Sequence, residues 1–170
     1  MDKTEILKEK LADAEVVLIG IGEEFNEKFD RIAEHEQLVK GLELVDAKEE
    51  LAWMVPYFEK IYLQEQNQSD ILSAYRNLYE LVKDKNYYIV TTCIDELIQK
   101  AGFKPEKIVE PCGNYEKMQC SAKCSTKLYE SEEYANKIKE ALQDGTLEQV
   151  EQPVCPDCGA PLAFNNIVCE

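Results

Sequence analysis

Tyr87-Tyr88-Ile89-Val90-Thr91-Thr92, running on through Cys93-Ile94-Asp95 to Ala101-Gly102, is the stretch that decides the fold. Its aromatic and β-branched residues suit a pleated, packed surface and predict a strand. A helix is expected from about Ile94 to Ala101, closed by Gly102, and Lys107-Ile108-Val109-Glu110 reads as the next strand. Strand, helix, strand in that order implies a right-handed βαβ unit in a parallel sheet. Upstream, Glu15-Val16-Val17-Leu18-Ile19 leads into Gly20-Ile21-Gly22. A strand apolar on both faces predicts a central position between two layers of helices.

Working outward, residues 2–14 predict a short helix with Asp2 as its cap and Ile6, Leu7, Leu11 and Ala14 apolar. From Glu24 to about Leu44, Phe25, Phe29, Ile32 and Ala33 recur at helical spacing. A second helical stretch carries Leu51, Met54, Phe58, Ile61 and Tyr62, with Pro56 expected to kink or divide it. A third runs from Ser69 to Val82, and a last one from about Ser131 to Gln143 stops at Asp144-Gly145.

The chain has 170 residues, enough for one core with a small inserted module. No stretch approaches the roughly 18 consecutive apolar residues of a membrane span, and the first ten residues lack a signal-type apolar run. A cytoplasmic location is the expectation. Nucleic acid is an unsuitable partner, because 19 Lys and Arg stand against 34 Asp and Glu, a net charge of −15. Binding a phosphate backbone needs the opposite, clustered balance.

Seven cysteines in such a chain point to metal before disulfides. Cys120-x-x-x-Cys124 is followed at a distance by Cys155-Pro156-Asp157-Cys158-Gly159. Two thiolate pairs on tight turns can fill a tetrahedron around zinc at about 2.3 Å. The glycine after the second pair lets the backbone fold back beneath the ion. Two unrelated reduced pairs, or a redox pair at Cys155 and Cys158, are the alternatives. A redox pair lacks the βα unit expected after it. With four sulfurs and no open position, the site is structural. His35, the only histidine, is expected on a solvated helix face.

Three segments together resemble the sirtuin family. The strand into Gly20-x-Gly22 is similar to its dinucleotide loop. Thr91-Thr92-Cys93-Ile94-Asp95 through Ala101-Gly102 resembles its Thr-Gln-Asn-Ile-Asp segment. Pro111-Cys112-Gly113, with the four cysteines and Gly159-Ala160-Pro161-Leu162, resembles its His-Gly turn and zinc module. The run Gly113-Asn114-Tyr115, with Gln119-Cys120 and Lys127-Leu128-Tyr129, is most similar to the macrodomain-linked bacterial branch. That branch ADP-ribosylates lipoyl-carrier proteins. The resemblance implies an α/β fold: a partial Rossmann-like parallel sheet of three to four strands, flanking helices and an inserted zinc-ribbon-type module. The expected division is 1–112 with 165–170 for the sheet domain, and 113–164 for the module with one helix. It implies zinc and NAD as cofactors, with Gly20, Gly22, Thr91 and Asp95 at the NAD site.

The departures point the other way. Cys112 stands at the family's catalytic histidine, and Cys93 at its ribose-binding asparagine. Glu23 and Glu24 follow Gly22 where a pyrophosphate would meet a helix N-terminus. Ile167-Val168-Cys169-Glu170 resembles the strand returning to the sheet, and the later strands of the family do not follow. The first reading is therefore a zinc-stabilised, degenerate sirtuin with lost or weak NAD turnover. The alternatives are an active NAD-dependent ADP-ribosyltransferase or deacylase, and a thiol regulator in which Cys93 and Cys112 approach each other. The shortened sheet predicts an open edge covered by a partner or a homodimer, unless the helices of 24–66 shield it.

Overall fold

The computed structural model describes residues 2–166. Strands β1 (Val16–Ile21), β2 (Asn86–Thr91) and β3 (Ile108–Val109) form a parallel sheet in the order β1-β2-β3. Its register sets Val17 beside Tyr87, Ile19 beside Ile89, and Ile89 beside Ile108. Successive side chains point to opposite faces. Tyr87, Ile89 and Thr91 are buried, whereas Tyr88 and Val90 are exposed.

One layer covers the buried face. Helix α4 (Asp70–Val82) begins where Ser69 Oγ accepts the Leu72 N–H at 3.0 Å, and buries Leu72, Tyr75 and Val82. Helix α5 (Leu97–Lys100) adds Leu97 and Ile98. The other face is bare: Val16 is 55% exposed, Leu18 75%, Tyr88 47% and Val109 58%. The apolar run of β1 thus belongs to an edge strand with one covered face, not to a central strand buried on both. The α1 helix (Lys3–Asp13), capped by Asp2, buries none of its residues and gives no cover.

Two helical expectations are corrected by competing hydrogen bonds, and at Pro56 the helical stretch is divided. Between Glu24 and Leu44 only α2 (Glu36–Ala47) is α-helical, preceded by 3-10 turns at Glu23–Phe25 and Ile32–Glu34. Here Asp95 accepts the Glu27 N–H at 2.7 Å and Asn26 accepts the Ile94 N–H at 2.8 Å, so the segment is tied to the 94–95 loop. The helix expected from Ile94 shrinks to α5, because Glu96 is left-handed at φ 59° and the Asp95 carboxylate caps Leu97 at 3.0 Å. Pro56 does not kink a helix. It sits in the first turn of α3 (Val55–Glu65), after a 3-10 turn at Glu49–Met54.

A second sheet, antiparallel in the order β5-β4-β6, comprises β4 (Gly113–Cys120), β5 (Leu128–Glu130) and β6 (Leu162–Asn166). Gly113 carries the chain into it at φ +69°, where an added Cβ would lie 1.7 Å from the Asn165 carbonyl oxygen. The helix α6 (Glu132–Asp144) spans the loop and ends at Gly145, φ 67°. The strand expected to return to the parallel sheet near 166–169 is not its fourth strand as far as Asn166, which pairs with β4. Residues 167–170 lie outside the described residues.

The core divides differently from the sequence boundaries. Leu38, Val45, Met54, Phe58, Ile61 and Tyr62 pack with Tyr115, Met118, Ile138 and Phe164 around the second sheet. A separate cluster holds β1–β3 with α4 and α5. The 36–65 helices therefore build the cysteine-bearing lobe rather than domain 1–112, and do not shield the bare sheet face. Lys60, 2% exposed, ties the lobes through Glu96 at 3.2 Å.

Leu18→Lys should leave the unfolding midpoint within about 0.5 kcal/mol of wild type, because the site is already in water. It should also lower dye binding to apolar surface and any concentration-dependent mass in light scattering. Unchanged dye binding would show that this face is not the apolar surface the protein presents.

Candidate functional site

Cys120 ends β4, and Lys123 at φ 53° bends the chain so that Cys124 faces it. The second pair sits on a knuckle: Cys155 N–H donates to Ala160 O at 2.7 Å, and Gly159 N–H, φ 76°, donates to Cys155 O at 2.8 Å. These turns bring four sulfurs together within 4.8 Å of one another. Cys120 and Cys158, and likewise Cys124 and Cys155, are 3.5 Å apart. Zn–S bonds of 2.3 Å in a tetrahedron require edges of about 3.8 Å. The spacing and the all-thiolate donor set fit a structural zinc ion.

The surroundings divide the four thiols: neighbouring cysteine side chains push Cys124 up to about 12 and raise Cys158, while Cys155 and Cys120 are lowered. Burial would raise the Cys155 thiol, but the backbone N–H groups of Asp157 and Cys158 outweigh it and bring it down to about 6. The Cys124 backbone N–H lowers Cys120. At the rim, Lys127 pairs with Asp157 at 2.9 Å.

The other candidate residues gather at the carboxyl ends of β1 and β2. Thr91 is buried, and its Oγ1 accepts the Cys93 N–H at 3.0 Å. The Cys93 thiol donates to Gly22 O at 3.1 Å, and burial pushes its pKa up, so it stays protonated at neutral pH. Asp95, 3% exposed, spends its two oxygens on the Glu27 and Leu97 N–H groups. Burial raises its pKa, and those N–H groups oppose the rise. Gly20 lies within β1, one residue short of its end, with nothing near an added Cβ. At Gly22 an added Cβ would lie 2.7 Å from Glu24 Oε2. The glycine's open side is thus filled by a carboxylate.

More acid lies close by. Burial raises the pKa of Glu96 and of Glu110, and for Glu110 the charges of Glu116, Glu96 and Asp95 add to the rise. Glu110 Oε2 accepts from Asn114 Nδ2 at 2.9 Å, while its Oε1 is buried without a partner among the described residues. Cys112, half-buried beyond β3, is a free thiol like Cys93. Hydrogen bonds join Thr91 to Gly22 through Cys93, while Asp95 bonds separately to Glu27 and Leu97; no side-chain hydrogen bond ties Cys112 to either set among the described residues. The loop is thus fronted by the exposed side chain of Glu24 and backed by buried carboxyls. His35 is half-buried at the start of α2, with its ring 5.1 Å from that of Tyr62 and its Nδ1 3.5 Å from Glu65. Sequence reasoning missed Asn26, Glu27 and the Lys60–Glu96 pair. Lys60 was signalled only by its place among Tyr57, Phe58 and Ile61.

An α/β sheet with its polar cluster at the carboxyl ends of the strands, joined to a four-cysteine module, defines a class, and sequence comparison gives the family. The Sir2 family profile matches residues 15–168, and the chain belongs to that family. A relative named protein ADP-ribosyltransferase, from Staphylococcus aureus, is 25% identical over 181 residues, covering 96% of this chain and 56% of its own. Solved relatives share the fold. A Sir2 homologue carrying a serine-to-alanine substitution, in complex with ADP-ribose, superposes with a TM-score of 0.60 at 15% identity, over 98% of this chain and 63% of that one. A Sir2 protein bound to a p53 peptide and NAD+ gives 0.53 at 21% identity, over 98% and 64%. The chain therefore spans a little over half to under two thirds of the length of these relatives. No helix among the described residues is long and apolar enough to cross a membrane.

Purified protein should carry one zinc per chain. Structural zinc contributes on the order of 10 kcal/mol in small peptides, so Cys155→Ala should lose the metal and unfold at least the cysteine-bearing lobe. Metal analysis with circular dichroism checks both. Glu110→Gln should stabilise the protein at pH 7 by up to about 1 kcal/mol, once solvent screening is allowed for. The sign follows from the raised pKa of Glu110 in the fold. Its ionised form costs stability above that pKa, and the cost vanishes as acidification protonates it. The gain in urea titrations should therefore shrink as the pH is lowered towards the ordinary carboxylate range.

Proposed function

We propose that this chain is a zinc-stabilised Sir2-type protein whose NAD turnover is lost or weak. The observation that carries the reading is the exposed Glu24 carboxylate lying over Gly22, with Oε2 2.7 Å from where an added Cβ would sit. A bound pyrophosphate would have to displace that group and overcome its charge, in a chain already at −15. Cys93 supports the same reading. Where the family resemblance places a ribose-binding amide, it offers one protonated thiol, and that thiol is committed to Gly22 O. Burial of the thiol also weighs against a thiolate-based regulator, since the thiolate is the reactive form.

A second reading keeps the activity named for the Staphylococcus aureus relative, protein ADP-ribosylation, with a lipoyl-carrier protein as the acceptor that the branch resemblance implies. Asp95, retained and buried at the strand ends, favours it. The two differ in one measurement. Calorimetric titration with NAD should give no saturable heat below about 1 mM, an affinity near 4 kcal/mol at most. Glu24→Ser should raise the affinity. Micromolar binding by the unaltered chain, or transfer of label from NAD to a lipoylated carrier protein, would establish the second reading instead.

A further inference from the structure

A groove of about 450 Å³ opens between α3 and the β4–β6 pair, in the cysteine-bearing lobe and apart from the strand-end cluster. Trp53, Tyr57, Tyr115 and Phe164 line it, and Glu59 is its one charged lining residue among the described residues. The rings fix one another's angles. Trp53 meets Tyr57 edge-on at 5.8 Å, Tyr57 tilts against Phe164 at 4.7 Å, and Tyr115 meets Phe164 edge-on at 5.1 Å.

Two hydroxyls are committed in ways that shape the surface. Tyr57 donates to the Met118 sulfur at 2.8 Å, turning its polar end inward. Tyr115 donates to Glu59 Oε2 at 2.6 Å and holds the carboxylate in place. Burial raises the Tyr115 pKa, and its bond to Glu59 adds to the rise, so the phenol remains the donor. Glu59 Oε1 has no hydrogen-bond partner, and no lysine or arginine pairs with Glu59, among the described residues. A half-buried carboxylate without a Lys or Arg partner among the described residues, beside the part-exposed Trp53 and a floor of the buried Tyr57, Tyr115 and Phe164, is complementary to an organic cation. Ring faces attract positive charge through their quadrupoles, and an alkylated ammonium sheds its water most readily. A simple apolar occupant would use the rings but leave the Glu59 charge desolvated and unpaired.

We propose that this groove binds an alkylated ammonium group, with the aromatic residues receiving its alkyl surface and Glu59 balancing its charge. The chemistry is shared by a free quaternary amine and by a methylated lysine side chain on a protein. Trp53 is the only tryptophan, so its fluorescence reports the groove directly. The zinc-loaded protein would be titrated with choline, with a short glycine-flanked peptide containing trimethyl-lysine, and with neohexanol (3,3-dimethylbutan-1-ol) as the uncharged analogue of choline. Ionic strength is held constant throughout. Saturable quenching by choline or by the peptide, at least tenfold tighter than by the uncharged analogue, is the expected result. The tighter of the two cations identifies the source as free or protein-borne. Glu59→Gln, which keeps an acceptor for Tyr115, should cut cation affinity at least tenfold and leave the circular dichroism spectrum and zinc content unchanged. Equal binding of the uncharged analogue, no saturable response to either cation up to about 50 mM, or full affinity in a folded Glu59→Gln protein would each overturn the proposal.

Discussion

Four sulfurs within 4.8 Å of one another are the constraint on which one whole lobe depends. They pin the end of β4 to the knuckle that precedes β6, and so close the long intervening loop that carries β5 and α6. Closing such a loop is entropically costly for a free chain, and a metal that binds only the closed form offsets that cost. Once closed, the loop sets α6 beside α2 and α3, and Ile138 and Ala135 enter the same core as Phe58 and Met118. The groove with Glu59 and Trp53 lies on the far side of that packing. Its shape therefore depends on cysteines it does not contain.

The strand ends show a different economy. Asp95 is used to hold backbone: one oxygen takes the chain that follows Gly22, the other starts α5. Cys93 returns to Gly22 from the opposite side. Groups that could have greeted a ligand are spent on one another, and the carboxylates added around them make the local field negative. Such a cluster orders the loops it joins.

How much of this could be read from residues alone depended on the range of the interactions. The three parallel strands were legible, because aromatic and β-branched runs such as 87–92 carry their signal locally. So were the four metal ligands, whose spacing encodes the turn geometry itself. The 24–34 region was not, because its conformation is decided by Asp95 and Asn26 acting across some seventy residues. Apolar periodicity there reports burial and not helix. The membership of the 36–65 helices was likewise hidden. Their apolar faces show that they pack, not which of two sheets receives them. Burial of β1 on both faces was inferred from composition, yet a strand apolar throughout describes what the strand is suited to, and Leu18 remains in water.

That bare face bears on how the backbone breathes. An amide in a sheet exchanges its hydrogen with solvent when its bond opens, and the ease of opening falls with the weight of structure that must move first. Over Leu18, Tyr88 and Val90 no described residue has to move. The amides of β1, on an edge and covered from one side only, can exchange through small local openings. Those of β4, flanked on both sides by strands and anchored at Cys120, need the lobe to come apart. A single chain thus holds one slow and one fast clock, and the boundary between them is the buried Lys60–Glu96 pair.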